Sequence, residues 1–239
     1  MKLACLCATY LRSHLLGQLI RCFLEQDYPR GLCELIILDD AGEYRSQSGD
    51  GWQLISIDRR FASLGEKRNA LAGLAAPDAE AFCVWDDDDL YLPHALKATA
   101  AALNHAGLSR PSQVLYETGS RQFRRHETGG LYHGGWAYRR EVFWKVQGYG
   151  PHNNGEDQEM LGRMNAAGVK TVDPLADGTP PFYCYRACAN SYHLSNEGQF
   201  GYRDLGQRGH DGRKEQVNVH WPYDLRAAEI LDEVHPRPF

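Results

Sequence analysis

Apolar positions fall into short runs separated by polar, turn-forming stretches, and the runs follow two different periods. Residues 3–8 (LACLCA), 34–40 (ELIILDD), 53–58 (QLISID) and 80–85 (EAFCVW) are continuous or alternating, which predicts buried strands. After Ser13, a suitable N-cap, Leu15, Leu16, Leu19, Ile20 and Phe23 recur on one helical face to about Gln26. Tyr28-Pro29 and Gly31 then break that pattern. Residues 64–76 (LGEKRNALAGLAA) read as a loop entering a helix, and Pro93 opens another helix through about Asn104.

Further along, 113–123 predicts a strand, 127–135 a glycine-rich loop and 140–146 a short helix. Glu156 to Ala167 predicts a helix closed by Gly168, followed by a strand at 169–174. Residues 197–222 form a polar, glycine-rich, irregular stretch. A last helix at 224–234 (DLRAAEILDEV) places Leu225, Ala228, Leu231 and Val234 on one side, a surface for docking on the body or for a homodimer.

Strands alternating with helices predict the α/β class: a doubly wound, mostly parallel sheet with right-handed crossovers. Such sheets bind ligands at the carboxyl ends of their strands. Three segments bring polar groups there: Thr9-Tyr10, Asp39-Asp40 and Asp86 to Asp89.

Composition adds limits. With 43% hydrophobic and 24% charged residues the chain is that of a soluble globular protein. No apolar run approaches the roughly 18–20 residues that span a bilayer, so no integral membrane segment is expected. The start, MKLACLCATYL, has no small-residue cleavage pattern and reads as a strand. Seven scattered cysteines, an odd number, predict reduced thiols and a cytoplasmic protein. The C-x3-C-x4-H spacing of Cys184, Cys188 and His193 is not a strong zinc pattern.

The net charge is −5, and four consecutive aspartates in VWDDDDLYLP (84–93) account for most of it, so the acidity is local. Arg121, Arg124 and Arg125 form the one basic cluster, best read as a solvated strand face. Oxygen-rich clusters suit hard divalent cations such as Mg²⁺ and Mn²⁺. Strand alternation would turn Asp86 and Asp88 to one side and Asp87 to the other, with Asp89 free to cap the next helix. The plainer alternative is that all four only cap and solvate a loop. An EF-hand fits poorly, since its glycine position would hold Tyr91 and its bidentate glutamate position Lys97.

The segment resembles the D-x-D-D-x-x-x-P element of family 2 glycosyltransferases with the GT-A fold, and four more pieces occur in the same order. CATYLR (7–12) is similar to P-T-Y-N-R, with Ala8 and Leu11 departing from it. LIILDDAGE (35–43) resembles V-V-D-D-G-S, and LGEKRNAL (64–71) resembles G-x-x-x-A-R-N-x-G/A. Residues 136–168 resemble the family's R-R-E-x-F segment running into E-D-x-x-L-x-x-R-x-x-x-G.

The resemblance implies a metal-dependent, inverting transferase that moves a sugar from a nucleotide-diphosphate donor to an acceptor hydroxyl in one displacement. It implies a single GT-A domain over 1–200, with 1–93 as the nucleotide half, 94–200 as the acceptor half and 201–239 as a tail. Asp88, supported by Asp86 and His193, would hold Mn²⁺ or Mg²⁺. Thr9, Tyr10, Arg12, Asp39, Lys67, Arg68, Asp86 and Asp87 would surround the nucleotide, with Asp39 on its base and Lys67 and Arg68 near its phosphates. Asp157 would be the general base and Glu156 its neighbour, although both also suit a helix N-terminus. Trp136, following Gly135, is a candidate floor for a sugar ring, and His193 with Asn196 matches a late H-x-x-N segment. Two other classes remain open: a non-catalytic nucleotide- or carbohydrate-binding relative, and a sugar-phosphate nucleotidyltransferase. The latter would want a G-x-G-x-R-like loop after the first strand, which CATYLRSHLLG lacks.

Overall fold

A computed structural model describes residues 1–119, 122–186 and 229–231. Its main sheet is built on β1 (Leu3–Thr9), flanked in parallel by β2 (Cys33–Asp39) and β5 (Ala81–Val84). On one side β2 pairs in parallel with β4 (Trp52–Ser56), and a short β3 (Gln47–Gly49) folds back antiparallel as the edge. On the other side β10 (Ala137–Arg139) runs antiparallel between β5 and β7 (Leu108–Ser109), with β11 (Thr171–Val172) at the far edge.

Burial on both faces explains the apolar runs. Leu3, Cys5 and Cys7 point to the face covered by α1 (Ser13–Leu24) and α3 (Ala95–Leu103), where Leu16, Leu19, Phe23 and Leu96 are buried. Ala4 and Leu6 point to the opposite face, packed with Leu71 of α2 (Leu64–Leu74), Phe143 of α4 (Arg140–Lys145) and Met160 of α5 (Glu156–Ala166). The six described cysteines are all buried and free. Among the described residues no helix is long and apolar enough to cross a membrane.

A second, five-stranded sheet has the order β13-β9-β8-β12-β6. It contains β6 (Leu90–Tyr91), β8 (Gln113–Gly119), β9 (Gln122–Glu127), β12 (Tyr183–Tyr185) and β13 (Glu229–Leu231). The expected strand at 113–123 is therefore divided between two antiparallel partners, β8 and the first residues of β9, and β9 also takes the start of the expected glycine-rich loop. Where a terminal helix was expected, residues 229–231 pair with β9 as a strand, since edge pairing supplies backbone partners that outweigh local helix preference. The remainder of 224–234 lies outside the described residues.

Candidate active site

The strands β1, β2 and β5 end at a cavity of about 520 Å³. Its walls include Thr9, Tyr10, Arg12, Asp40, Arg60, Lys67, Arg68, Asp86 to Asp89, His133 and, from the start of α5, Glu156 and Asp157.

The four aspartates are not one acidic patch; each has its own compensation. Strand β5 stops at Val84, so residues 86–89 form a turn and the expected alternation does not reach them. Asp87 accepts from Thr9 Oγ1 (2.7 Å) and from Arg12 Nη1 (2.6 Å), and the same nitrogen lies 2.8 Å from Asp88 Oδ2. Asp89 accepts from the Tyr183 hydroxyl and from the Arg186 backbone N–H (3.2 Å), which pins β12 to the turn. Asp86 has the loosest hold, 3.4 Å from Arg68 Nη2, and its backbone N–H donates to the Tyr91 hydroxyl at 2.8 Å. Burial and then the neighbouring aspartates push its carboxyl up to about 7, against the pull of Arg68. Burial likewise raises Asp87.

Arg12 is aimed by its backbone. Leu11 stands at φ 53°, in the left-handed region that costs a branched L-residue energy and that asparagine enters far more readily. This is one of the two positions, with Ala8, at which the sequence departs from P-T-Y-N-R. Burial opposes the Arg12 charge, but Asp87 and Asp88 outweigh it and hold the guanidinium cationic.

The first turn of α2 ties the strand ends together. Ser63 caps it by accepting from the Glu66 N–H at 3.1 Å, while Asn153 and the His152 carbonyl take the N–H groups of Leu64 and Gly65. Lys67 is buried, and its ammonium donates to the Thr9 carbonyl and to Asp40. Burial lowers its pKa, and Asp40 works against that shift. Arg60 donates to Asp40 (2.6 Å) while its guanidinium lies 3.6 Å over the ring of Tyr10. Arg68 reaches the other way, with Nη2 toward Asp86 and Nη1 3.8 Å from Glu156. Burial raises the pKa of Glu156, and Arg68 partly offsets this.

A family model described as Glycosyl transferase family 2 matches residues 5–153, more than half of the chain. The chain belongs to glycosyl transferase family 2. No curated protein sequence matches it. Among solved structures, TarS 1-349 of S. aureus aligns with a TM-score of 0.59 at 16% identity, over 78% of this chain and 61% of that one. The mannosyltransferase PcManGT from Pyrobaculum calidifontis, in complex with GDP-Man and Mn²⁺, aligns with a TM-score of 0.58 at 17% identity, over 81% and 59%. The catalytic domain of Drosophila beta1,4galactosyltransferase 7, in complex with xylobiose, aligns with a TM-score of 0.54 at 18% identity, over 89% and 82%. The chain thus spans about three fifths of the first structures it matches. At these identities the likeness establishes the glycosyltransferase fold, a large, mostly parallel sheet flanked by helices.

In this family 2 protein the cavity gathers Thr9, Tyr10, Arg12, Lys67, Arg68, Asp86, Asp87, Asp88, Glu156 and Asp157. Asp39 stands apart. It is fully buried and accepts from the Ala41 and Glu43 N–H groups and from Ser56 Oγ, while its neighbour Asp40 faces the cavity. Trp136 is a core residue whose indole N–H donates to the Gly130 carbonyl (2.8 Å), and Gly135 packs against Pro111; neither lines the cavity, although Gly134 does. His193, Asn196 and Cys188 lie outside the described residues.

Sequence reasoning placed Asp40 at this strand end without a role, and missed His133, Arg60, Tyr132, Tyr183 and Tyr185, all on the cavity wall. The one available signal was the HGG beside Trp136, where glycines allow close backbone approach.

The donor chemistry decides whether a divalent cation suits this wall. Among the described residues no three His, Cys, Asp or Glu side chains form a ready ligand group. Asp87 and Asp89 have both carboxylate oxygens engaged; Asp88 shares the Arg12 guanidinium with Asp87, and Asp86 has one long contact to Arg68, so a cation would draw on Asp86 and compete with Arg12 for Asp88. One or two carboxylates with the remaining positions open to phosphate oxygens and water is a usual Mg²⁺ arrangement, so these residues fit a partial site of that kind and not a complete cage.

Proposed function

We propose that this chain is a metal-dependent, inverting glycosyltransferase that moves a sugar from a nucleotide-diphosphate donor to an acceptor hydroxyl. The observation that carries this reading is Arg68, which stands between Asp86 of the aspartate turn and Glu156 beside Asp157, so both ends of the reaction share one cavity. The neighbours support the donor class: TarS is described with UDP and with UDP-GlcNAc, and PcManGT with GDP-Man and Mn²⁺.

In this reading residues 1–93 bind the nucleotide. Tyr10 and Arg60 flank the base, while Arg12 and Arg68 stand beside the diphosphate. Asp88, with Asp86, holds Mn²⁺ or Mg²⁺, which when bound neutralises charge on the departing diphosphate. Residues 94–200 bind the acceptor. Its hydroxyl oxygen attacks the anomeric carbon from the face opposite the diphosphate, its proton passes to the Asp157 carboxylate, and the bond from anomeric carbon to diphosphate oxygen breaks. Asp157 sits in the first turn of α5, half-buried at the cavity, and its oxygen takes a 3.2 Å contact from Gln158. General-base assistance of this kind supplies roughly 10²–10⁴-fold.

Thermal unfolding against UDP, GDP, CDP, ADP and dTDP, each with and without Mn²⁺, tests the reading. A ligand that binds only the folded state raises the melting temperature with occupancy. A Mn²⁺-dependent rise with one diphosphate is the expected result; no rise with any of them would overturn it.

A further inference from the structure

We infer that His133 is a positioning residue that fixes the orientation of Arg68 across the gap between Asp86 and Glu156, braced from behind by Tyr149 and Tyr138. This rests on the transferase reading for its purpose and on geometry for its existence.

The tautomer follows from the partners. Arginine has only donors, so the ring nitrogen it faces must carry no proton. Arg68 Nη1 lies against the imidazole edge, closest to Nδ1 and 3.2 Å from Nε2; the closer contact puts the lone pair on Nδ1 and the ring proton on Nε2. Nε2 lies 2.9 Å from the Tyr149 hydroxyl, so it donates there. The Tyr149 hydroxyl lies 2.7 Å from that of Tyr138, and both tyrosines are buried. Trp136 stands edge-on to the imidazole with centroids 5.2 Å apart and limits its rotation. Burial, then the Arg68 charge, hold His133 neutral, well below its ordinary pKa. A neutral imidazole can accept from a guanidinium without competing for its carboxylates.

The bracing is itself anchored on α2. Asn69, next to Arg68, clamps the Tyr149 backbone: its Nδ2 donates to the Tyr149 carbonyl (2.9 Å) and its Oδ1 accepts from the Tyr149 N–H (2.8 Å). Gly148, at φ 63°, leaves room for that approach, since a Cβ there would strike Asn69 and Phe143. One turn of α2 therefore sets both Arg68 and the hydroxyl that holds its histidine. By contrast, the contacts from Arg68 to Asp86 (3.4 Å) and Glu156 (3.8 Å) are long. The guanidinium is thus aimed by His133 while its bonds toward the cavity stay loose, as binding an incoming diphosphate requires.

Two measurements on the full chain test this. Long-range ¹H–¹⁵N NMR of the parent should show His133 neutral and protonated on Nε2 from pH 5.5 to 8.5. An Nδ1-protonated ring, or titration near 6.5, would overturn the inference. Calorimetry with Mn²⁺ and whichever of the five nucleoside diphosphates binds the parent most tightly should show His133→Leu weakened about 10-fold or more, the scale of a lost hydrogen bond to a charged group. His133→Gln, which keeps one acceptor and one donor, should stay within about 3-fold. Parent-like binding by a folded His133→Leu would overturn the inference alone. If the parent binds no diphosphate while the ring shows the expected tautomer, the transferase reading falls and the bracing of Arg68 stands.

Discussion

Exchanging Leu11 offers a test in which the usual ranking of alanine and glycine should invert. At φ 53° the residue is left-handed, and an L-side chain there costs about 1–2 kcal/mol. Comparing Leu11 directly with a smaller residue would mix that strain with lost apolar burial. The cleaner pair is Leu11→Ala against Leu11→Gly, since both discard the side chain and only alanine keeps the strained Cβ. Glycine gives back about 0.4–1 kcal/mol through the greater freedom of its unfolded chain. The net expectation is Leu11→Gly more stable than Leu11→Ala by about 0.5–1 kcal/mol, a melting-temperature gap of about 1–4 °C for a domain of this size. Leu11→Asn should also stand above Leu11→Ala, because its side chain tolerates this region. Calorimetric melts of the three variants at one pH without ligand measure the order. Alanine level with or above glycine would refute the claim that this backbone is strained to aim Arg12.

Asp88→Asn should lose Mn²⁺-dependent diphosphate binding in a thermal-shift titration, whereas Asp157→Asn should keep that binding and lose transfer by about 10²-fold or more. Arg12→Ala removes the cation shared by the nearly buried Asp87 and Asp88 while Asp87 keeps its Thr9 hydrogen bond, and should destabilise the free protein by about 3 kcal/mol. Mn²⁺ should then raise its melting temperature more than the parent's; an equal rise would show that Arg12 and the cation do not share those carboxylates. For pH, folded His133 stays neutral while the unfolded histidine takes a proton as pH falls through about 6.5. The unfolded state then binds more protons, so stability drops below that pH by up to about 1.4 kcal/mol per unit. Melts of the parent and His133→Gln between pH 5 and 7.5 should show the smaller decline in the variant.

The elements with strong period were legible: β1, β2, β5, α1 and α5 lie close to where apolar spacing puts them. Three-residue strands such as β3, β10 and β12 have too few positions to show a period, and tertiary pairing alone makes them strands. The same limit governed the site. Asp39 and Asp40 are chemically identical neighbours, and only the end of β2 decides which is sealed in and which meets the cavity. Alternation misjudged the aspartate turn because it presumes a strand that stops two residues earlier. Trp136 has the chemistry of a sugar platform, yet its N–H finds a carbonyl inside the core. The glycines after His133 marked a close backbone approach but not the histidine's role, which comes from Arg68, 65 positions earlier in the chain.

Lys67, Arg68 and Asn69 together reach the ends of β1 and β2, the aspartate turn and the segment leading into α5. A helix turns by about 100° per residue, so one inserted or deleted residue between Ser63 and Lys67 would swing all three away from their targets at once. Length change across this domain should therefore be tolerated very unevenly. A hairpin tip such as Asp50-Gly51, between β3 and β4, can lengthen at the slow, logarithmic cost of loop closure, while a single added residue in the first turn of α2 would disconnect four chain segments together.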